Sequence, residues 1–247
     1  MTFLVTVITP TTGCSLLARA MASVAAQSYK PIQHMVVIDG AECGAPARSI
    51  IAGRPVDVIE LPYATGRDKF NGHRIYGAGT FLCRGDVVCF LDEDNWMDRD
   101  HIESLVNVLM KGNEWAYSLR KIVDQDGNLV CFDNCESLGK WPSVLSDRDY
   151  LVDVNCFMLP KVLALKLTPL WYRKARTPGV SEVDRVLTKV LREKTQRFDS
   201  NYRYSLNYCA GRTSTSVRAS FFLKGNAVME RRFPMGLPWS PLSKAMQ

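Results

Sequence analysis

Short apolar runs alternate with amphipathic stretches over the first 110 residues. Residues 3–9 (F-L-V-T-V-I-T) are rich in β-branched side chains and stop at Pro10, which predicts a buried strand. Residues 15–27 place Leu17, Met21 and Val24 at helical spacing, and Pro31 closes that unit. Residues 34–39, 56–61 and 86–91 predict three more apolar strands, and residues 101–110 a helix with Ile102, Leu105, Val106 and Leu109 on one face. Nearly continuous apolar strands between helices are the pattern of a parallel sheet covered on both faces. The expected fold class is therefore α/β, a doubly wound, mostly parallel central sheet flanked by helices.

After residue 110 the pattern changes. Residues 115–123, the turn Asp124-Gln125-Asp126-Gly127 and residues 128–132 predict an added β-hairpin, because Asp-Gly supplies the positive φ that a tight turn needs. Residues 152–159 predict a strand, and residues 181–191 a helix with Val183, Val186, Leu187, Val190 and Leu191 on its apolar face. From about Asn226 the text is rich in Pro, Met and Arg and reads as an irregular tail. No repeat, low-complexity stretch or long linker divides the chain, so residues 1–247 read as one domain with segments 1–110, 111–225 and 226–247.

Composition excludes whole classes. With 247 residues, 47% hydrophobic and 23% charged, the chain is neither disordered, collagenous nor a coiled coil. The net charge of +6 hides an asymmetry: residues 1–110 carry 9 Lys+Arg against 12 Asp+Glu, and residues 160–247 carry 17 against 5. A basic second half favours a polyanionic ligand, whether phosphate, nucleic acid or a membrane surface. No aromatic-basic repeat or helix-turn-helix pattern supports nucleic acid. The eight cysteines include no C-x-x-C and read as reduced thiols, which predicts a cytoplasmic protein. The start of the chain has no basic n-region, and no apolar run approaches the ~18 residues of a membrane span.

Ligands of open parallel sheets sit beyond the carboxyl ends of the strands. There the first strand runs into Pro10-Thr11-Thr12, the second ends at Asp39-Gly40, and the fourth ends in Asp92-Glu93-Asp94-Asn95. Consecutive carboxylates repel one another, and a hard divalent cation such as Mn2+ or Mg2+ relieves that repulsion. Alternation puts Asp92 and Asp94 on one side. A second reading of the same text is a solvated loop with Asp98 or Asp100 capping the next helix. Arg67, Lys69 and Arg74, interleaved with Gly66 and Gly72, suit a diphosphate, or else form a mobile surface loop.

Taken together, V-T-V-I-T-P-T-T-G, S-L-L-A-R-A-M-A-S-V-A-A-Q-S-Y, V-V-I-D-G, G-H-R-I-Y-G-A-G and D-V-V-C-F-L-D-E-D-N resemble the nucleotide-sugar-binding half of family-2 glycosyltransferases with the GT-A fold. The resemblance spans about residues 3–110 and implies transfer of a sugar from a nucleoside diphosphate sugar to a glycan or glycolipid acceptor, with inversion and with a divalent metal on the pyrophosphate. It carries the D-x-D motif onto Asp92 and Asp94 as metal ligands, with Glu93 between them. Donor recognition falls on Pro10, Thr11, Thr12 and Asp39, and on the stretch from Lys69 to Arg74. Residues 111–225 become the acceptor-binding half.

The family's catalytic base lies well downstream of the D-x-D motif, near the start of a helix, where this chain has Ser181-Glu182-Val183-Asp184. Asp184 fits best, with Leu187 three positions on, and Glu182 remains the alternative because the familiar E-D pair is spread as E-V-D. The same text is a capping-box variant in which Asp184 satisfies the helix N-terminus. A second departure is the lack of any histidine after His101 to serve as a further metal ligand, so that the metal is completed by phosphate and water oxygens, or is weakly held, or is dispensable. Trp141, Trp171 and Tyr172 are candidate acceptor-stacking rings or else core residues. Arg212 and Arg218 are candidates to close over the diphosphate, and the basic C-terminal part is compatible with peripheral membrane contact. A nucleotidyltransferase and an inactive transferase-fold binding protein are the alternatives; a dinucleotide-binding fold is excluded because no G-x-G-x-x-G follows a strand.

Overall fold

The computed structural model describes residues 2–67, 70–173, 182–213 and 216–240. Its central sheet begins with β1 (Val5–Thr11), β2 (Ile32–Ile38), β3 (Asp57–Glu60) and β4 (Val87–Phe90). These strands are parallel, in spatial order β3-β2-β1-β4. β1 keeps step with β2 from Val5↔Ile32 to Thr11↔Ile38 and with β4 from Val5↔Val87 to Ile8↔Phe90, so their carboxyl ends open on one edge. β1 continues through Pro10, where a strand end was expected. Pro10 lies beyond the last residue that pairs with β4, so its missing N–H breaks no ladder bond there.

Past β4 the sheet becomes mixed rather than mostly parallel. The added strands are β5 (Trp96–Met97), β6 (Trp115–Val123), β7 (Leu129–Phe132), β8 (Phe157–Pro160) and β9 (Phe198–Cys209). β8 runs antiparallel to both β4 and β6, β9 runs parallel to β6, and β5 closes the far edge antiparallel to β9. β6 and β7 form the expected hairpin, with Gly127 at φ 95° and the Asp124 carbonyl accepting its N–H. The strand expected over residues 152–159 begins instead with a 3-10 turn, Val154–Cys156, which Asp153 caps by accepting the Asn155 N–H.

The helices are α1 (Leu17–Ala25), α2 (Gly44–Ile51), α3 (His73–Leu82), α4 (His101–Met110), α5 (Lys161–Leu167), α6 (Val183–Lys194) and α7 (Ala219–Arg232). α7 corrects the irregular tail expected from Asn226, since regular helix persists to Arg232 while Phe222, Gly225 and Met229 bury its inner face. α3 is not among the elements expected from the sequence, and it takes in Arg74 at the end of the cationic stretch. Gly79 allows the helix to lie directly on the sheet, where an added Cβ would come within 3.1 Å of Ile8 and Met35. One continuous core joins Val7, Ile8, Val88 and Phe90 of the first half to Trp115, Tyr117, Phe157 and Leu206 of the second. Among the described residues, no helix is long and apolar enough to cross a membrane, and all eight cysteines are unpaired.

Candidate functional site

The carboxyl ends of β1, β2 and β4 line a cleft of about 880 Å³ together with the start of α6, the segment before β8, the end of β9 and the loop after it. Pro10, Thr11, Thr12, Asp39, Asp92, Glu93, Asp94 and Asp184 all line it, so eight of the sequence-derived candidates meet in one place. Arg67, His73 and Arg212 line it as well. Lys69 lies outside the described residues.

The three consecutive carboxylates have different partners. Glu93 is buried and turned to β1, where it accepts from Thr11 Oγ1 (2.6 Å), Thr12 Oγ1 (2.8 Å) and the backbone N–H groups of Thr12 and Cys14 (3.1 Å each). Its acceptor positions are filled by protein, so it shapes the Thr11–Cys14 turn rather than offering a free carboxylate to a donor. Asp92 accepts from the Tyr76 hydroxyl (2.5 Å) and from Asn155 Nδ2 (2.8 Å), and Asp94 accepts from Arg212 Nε (2.6 Å). Burial and the neighbouring Asp94 charge push Asp92 up to about 7. Burial raises Asp94 too, with Arg212 opposing. The capping alternative is absent: Asp100 precedes α4 without a side-chain cap, and Asp98 pairs with Lys121 at 2.7 Å.

Asp39 is one of the expected donor-recognition residues. In the structure it accepts from Thr65 N (2.6 Å), Thr65 Oγ1 (2.8 Å) and Gly66 N (2.9 Å), and so secures the loop that follows β3. Arg74 stands outside the cleft lining. Its guanidinium covers the Phe70 ring at 3.5 Å and donates to the Thr65 carbonyl at 3.1 Å.

Across the cleft, Asp184 occupies the first turn of α6. Glu182, the alternative base, sits at the cap position without a side-chain cap bond and is not among the cleft-lining residues. Asp184 Oδ1 is buried and has no hydrogen-bond partner among the described residues. Burial, then the Asp153 and Asp92 charges, raise the Asp184 carboxyl well above the ordinary carboxylate range. Perturbed, unpartnered acids in a cleft are the groups that enzymes use for proton transfer.

Sequence reasoning missed the layer beneath these acids. Asn155 uses Nδ2 to donate to Asp92 and to Asp153, at 2.8 Å each, and its Oδ1 accepts the Asp92 N–H. Arg120, buried in β6, pairs with Asp133 and Glu136 at 2.8 Å and also with Asp153. Arg185 joins Glu136 to Asp149, at 2.9 Å each. No local motif marks these residues, because β6, the segment between β7 and β8, and α6 supply them from distant parts of the chain.

The three aromatic candidates do not line the cleft. Trp171 is 1% exposed and packs against Tyr76 and Phe90 at 5.4 and 5.2 Å between ring centres, so it is a core residue with no face free for a sugar. Trp141 packs against Trp239 and Tyr202, and Tyr172 is exposed outside the cleft. Leu145, Leu151, Tyr208, Val217 and Phe221 line the cleft instead.

The ligand chemistry of Asp92 and Asp94 fits a hard divalent cation. Both are carboxylate oxygens whose mutual repulsion a cation relieves, and Arg212 now supplies the balancing charge on Asp94. Among the described residues no group of three His, Cys, Asp or Glu side chains is placed to hold a metal, so a cation here takes its other ligands from phosphate or water.

A family model described as Glycosyl transferase family 2 matches residues 6–131. The amylovoran biosynthesis glycosyltransferase AmsB of Erwinia amylovora is 23% identical over 145 residues, which are 57% of this chain and 47% of AmsB. Among solved structures, S. aureus TarS 1-349 in complex with UDP-GlcNAc superposes with a TM-score of 0.63 at 14% identity, over 86% of this chain and 60% of that one. The mannosyltransferase PcManGT from Pyrobaculum calidifontis, in complex with GDP-Man and Mn2+, gives 0.62 at 12% identity, over 94% and 65%. The chain spans about half the length of the curated relative and about three fifths of these structures.

Proposed function

The chain belongs to glycosyl transferase family 2, and on that premise we propose that it transfers a sugar, with inversion, from a nucleoside diphosphate sugar to a hydroxyl of a glycan or glycolipid. The observation that carries this reading is the convergence of Asp184, unpartnered at Oδ1, with Asp92 and Asp94 on one cleft. Asp184 is the base: it takes the proton of the acceptor hydroxyl, whose oxygen attacks the anomeric carbon as the bond from that carbon to the diphosphate oxygen breaks. A divalent cation held by Asp92 and Asp94 would neutralise charge on the departing diphosphate. Glu93 and Asp39 act indirectly, by fixing the Thr11–Cys14 turn and the Thr65–Gly66 loop against which the donor lies. Arg212, which lines the cleft and pairs with Asp94, would bind a diphosphate oxygen there.

The two solved structures named above are complexes with UDP-GlcNAc and with GDP-Man, which makes these the first donors to test. A thermal-shift panel of both, with and without Mn2+, should show a rise that requires donor and metal together. Asp94→Ala should abolish that rise, and Asp184→Asn should keep it while lowering transfer by orders of magnitude. Undiminished transfer in Asp184→Asn overturns the assignment of the base, and a nucleoside triphosphate giving the larger shift would favour nucleotidyl transfer. Peripheral membrane contact through the C-terminal part is supported by exposed Leu223 and Val228 on α7 beside Lys224 and Arg231. It should appear as salt-sensitive binding to anionic vesicles.

A further inference from the structure

His73 is the first residue of α3 and lines the same cleft as Asp184 at the start of α6. Its Nε2 stands 3.8 Å from Asp184 Oδ1, inside ion-pair range and just beyond hydrogen-bond range. His73 is buried and Asp184 half-buried, and each has a buried, orphaned polar atom: Asp184 Oδ1 and His73 Nδ1 have no hydrogen-bond partner among the described residues. The other charged groups that act on Asp184 are Asp153, Asp92, Arg120 and Arg185, and the two arginines are committed to Asp133, Glu136, Asp153 and Asp149. His73 is therefore the donor-capable side chain that faces Asp184 without another polar partner.

We propose that His73 is a positioning residue for the base: as the neutral Nε2–H tautomer, it donates to the Asp184 carboxylate and holds Oδ1 and the acceptor hydroxyl in line with the anomeric carbon. The proposal rests on Asp184 as base. Burial pushes His73 down to about 4, so at neutral pH the ring has one N–H to place. Placing it on Nδ1 would bury a donor with no acceptor, whereas placing it on Nε2 aims it at a carboxylate; a buried orphan acceptor is the cheaper defect. The ring packs against Trp171 at 5.9 Å between centres with the planes tilted by 41°, and its Nε2 faces α6 at Asp184.

Because the protein has three histidines, long-range ¹⁵N–¹H spectra of the histidine-labelled, ligand-free protein read the tautomer directly, with His73→Gln assigning the signal. The expected result is an Nε2–H tautomer for His73 whose Nε2 resonance moves in Asp184→Asn while those of His34 and His101 stay in place. An Nδ1–H tautomer, or a His73 signal indifferent to Asp184→Asn, overturns the proposal whatever the donor proves to be. In turnover with the donor that the thermal shift identifies, His73→Leu should lower kcat about ten- to hundredfold with the donor KM within about twofold, and His73→Gln should recover much of it. Adding His73→Leu to Asp184→Asn should cost nothing more, since His73 acts through Asp184; additive losses would assign it a separate structural role. Failure of the base itself is distinguishable, because only that failure leaves Asp184→Asn active.

Discussion

Asn155 holds Asp92 from two directions, donating from Nδ2 to the carboxylate at 2.8 Å and accepting the Asp92 backbone N–H on Oδ1. The same Nδ2 also bonds Asp153, so one amide joins the carboxylate at the end of β4 to the buried ion network behind it. Asn155→Leu leaves both carboxylates without that donor in a buried setting, which should cost about 1–3 kcal/mol of stability. A carboxylate displaced by about 1 Å should lose on the order of a hundredfold in turnover. Urea unfolding and donor turnover measured on one preparation check both numbers. Asn155→Asp should be the more damaging change, because it keeps the shape but replaces a donor with a third acid.

Arg120 should be the most sensitive single position for folding. It is buried and balances Asp133, Glu136 and Asp153 while its guanidinium lies 4.4 Å from the Tyr208 ring centre. Replacing it with methionine strands three acids, and breaking such a buried set from one side costs about 3–5 kcal/mol. Burial would push Asp133 up, but Arg120 and the N–H groups of Cys135 and Ser137 outweigh it and hold the carboxyl below its ordinary value. In the wild type that contribution is present above the unfolded carboxylate range and disappears as pH falls through it. The deficit of Arg120→Met should accordingly shrink on acidification, and denaturant midpoints for the two proteins should converge as pH falls; a constant gap would show that Arg120 acts by packing alone.

The sequence made some of this legible and hid the rest for physical reasons. Asp92 and Asp94 stand out because they terminate an apolar run, and Asp184 because a helix begins beside it. Both signals are local. Asn155 sits in V-D-V-N-C-F and reaches Asp92, 63 residues away, only because β8 folds antiparallel onto β4 with Cys89 opposite Met158. β9 escaped the pattern altogether, since its first turn of chain carries Asp199, Asn201 and Arg203 and bends at Tyr202 with φ 56°. Trp171 shows the converse error: an aromatic in the acceptor half suggests stacking on a sugar, but its ring fills the space that Gly77 leaves on α3, where an added Cβ would approach it to 3.1 Å.

The three histidines should make the fold acid-sensitive in a way that can be isolated. His34, His73 and His101 are each pushed down to about 4 by burial, from 6.5 in the unfolded chain. Between those values the unfolded state binds the proton and the folded state does not, so each contributes stability above about pH 6.5 that is lost as pH falls toward 4, at up to about 1.4 kcal/mol per pH unit. Asp92 works in the opposite sense. Its carboxyl is raised to about 7, so protonation favours the folded state as pH falls over the same window. The two trends partly cancel in the wild type, and a variant is needed to separate them. His101 suits this, because it is fully buried away from the cleft lining and its Nδ1 meets Ser205 Oγ at 2.9 Å. His101→Gln removes one titration without touching the acids. Its stability at about pH 7 should be lower than that of the wild type, but between about pH 6 and 4.5 its decline should be shallower by up to about 1.4 kcal/mol per unit. Urea unfolding at several pH values in this range measures both slopes, and parallel curves would mean that His101 already titrates normally in the folded protein.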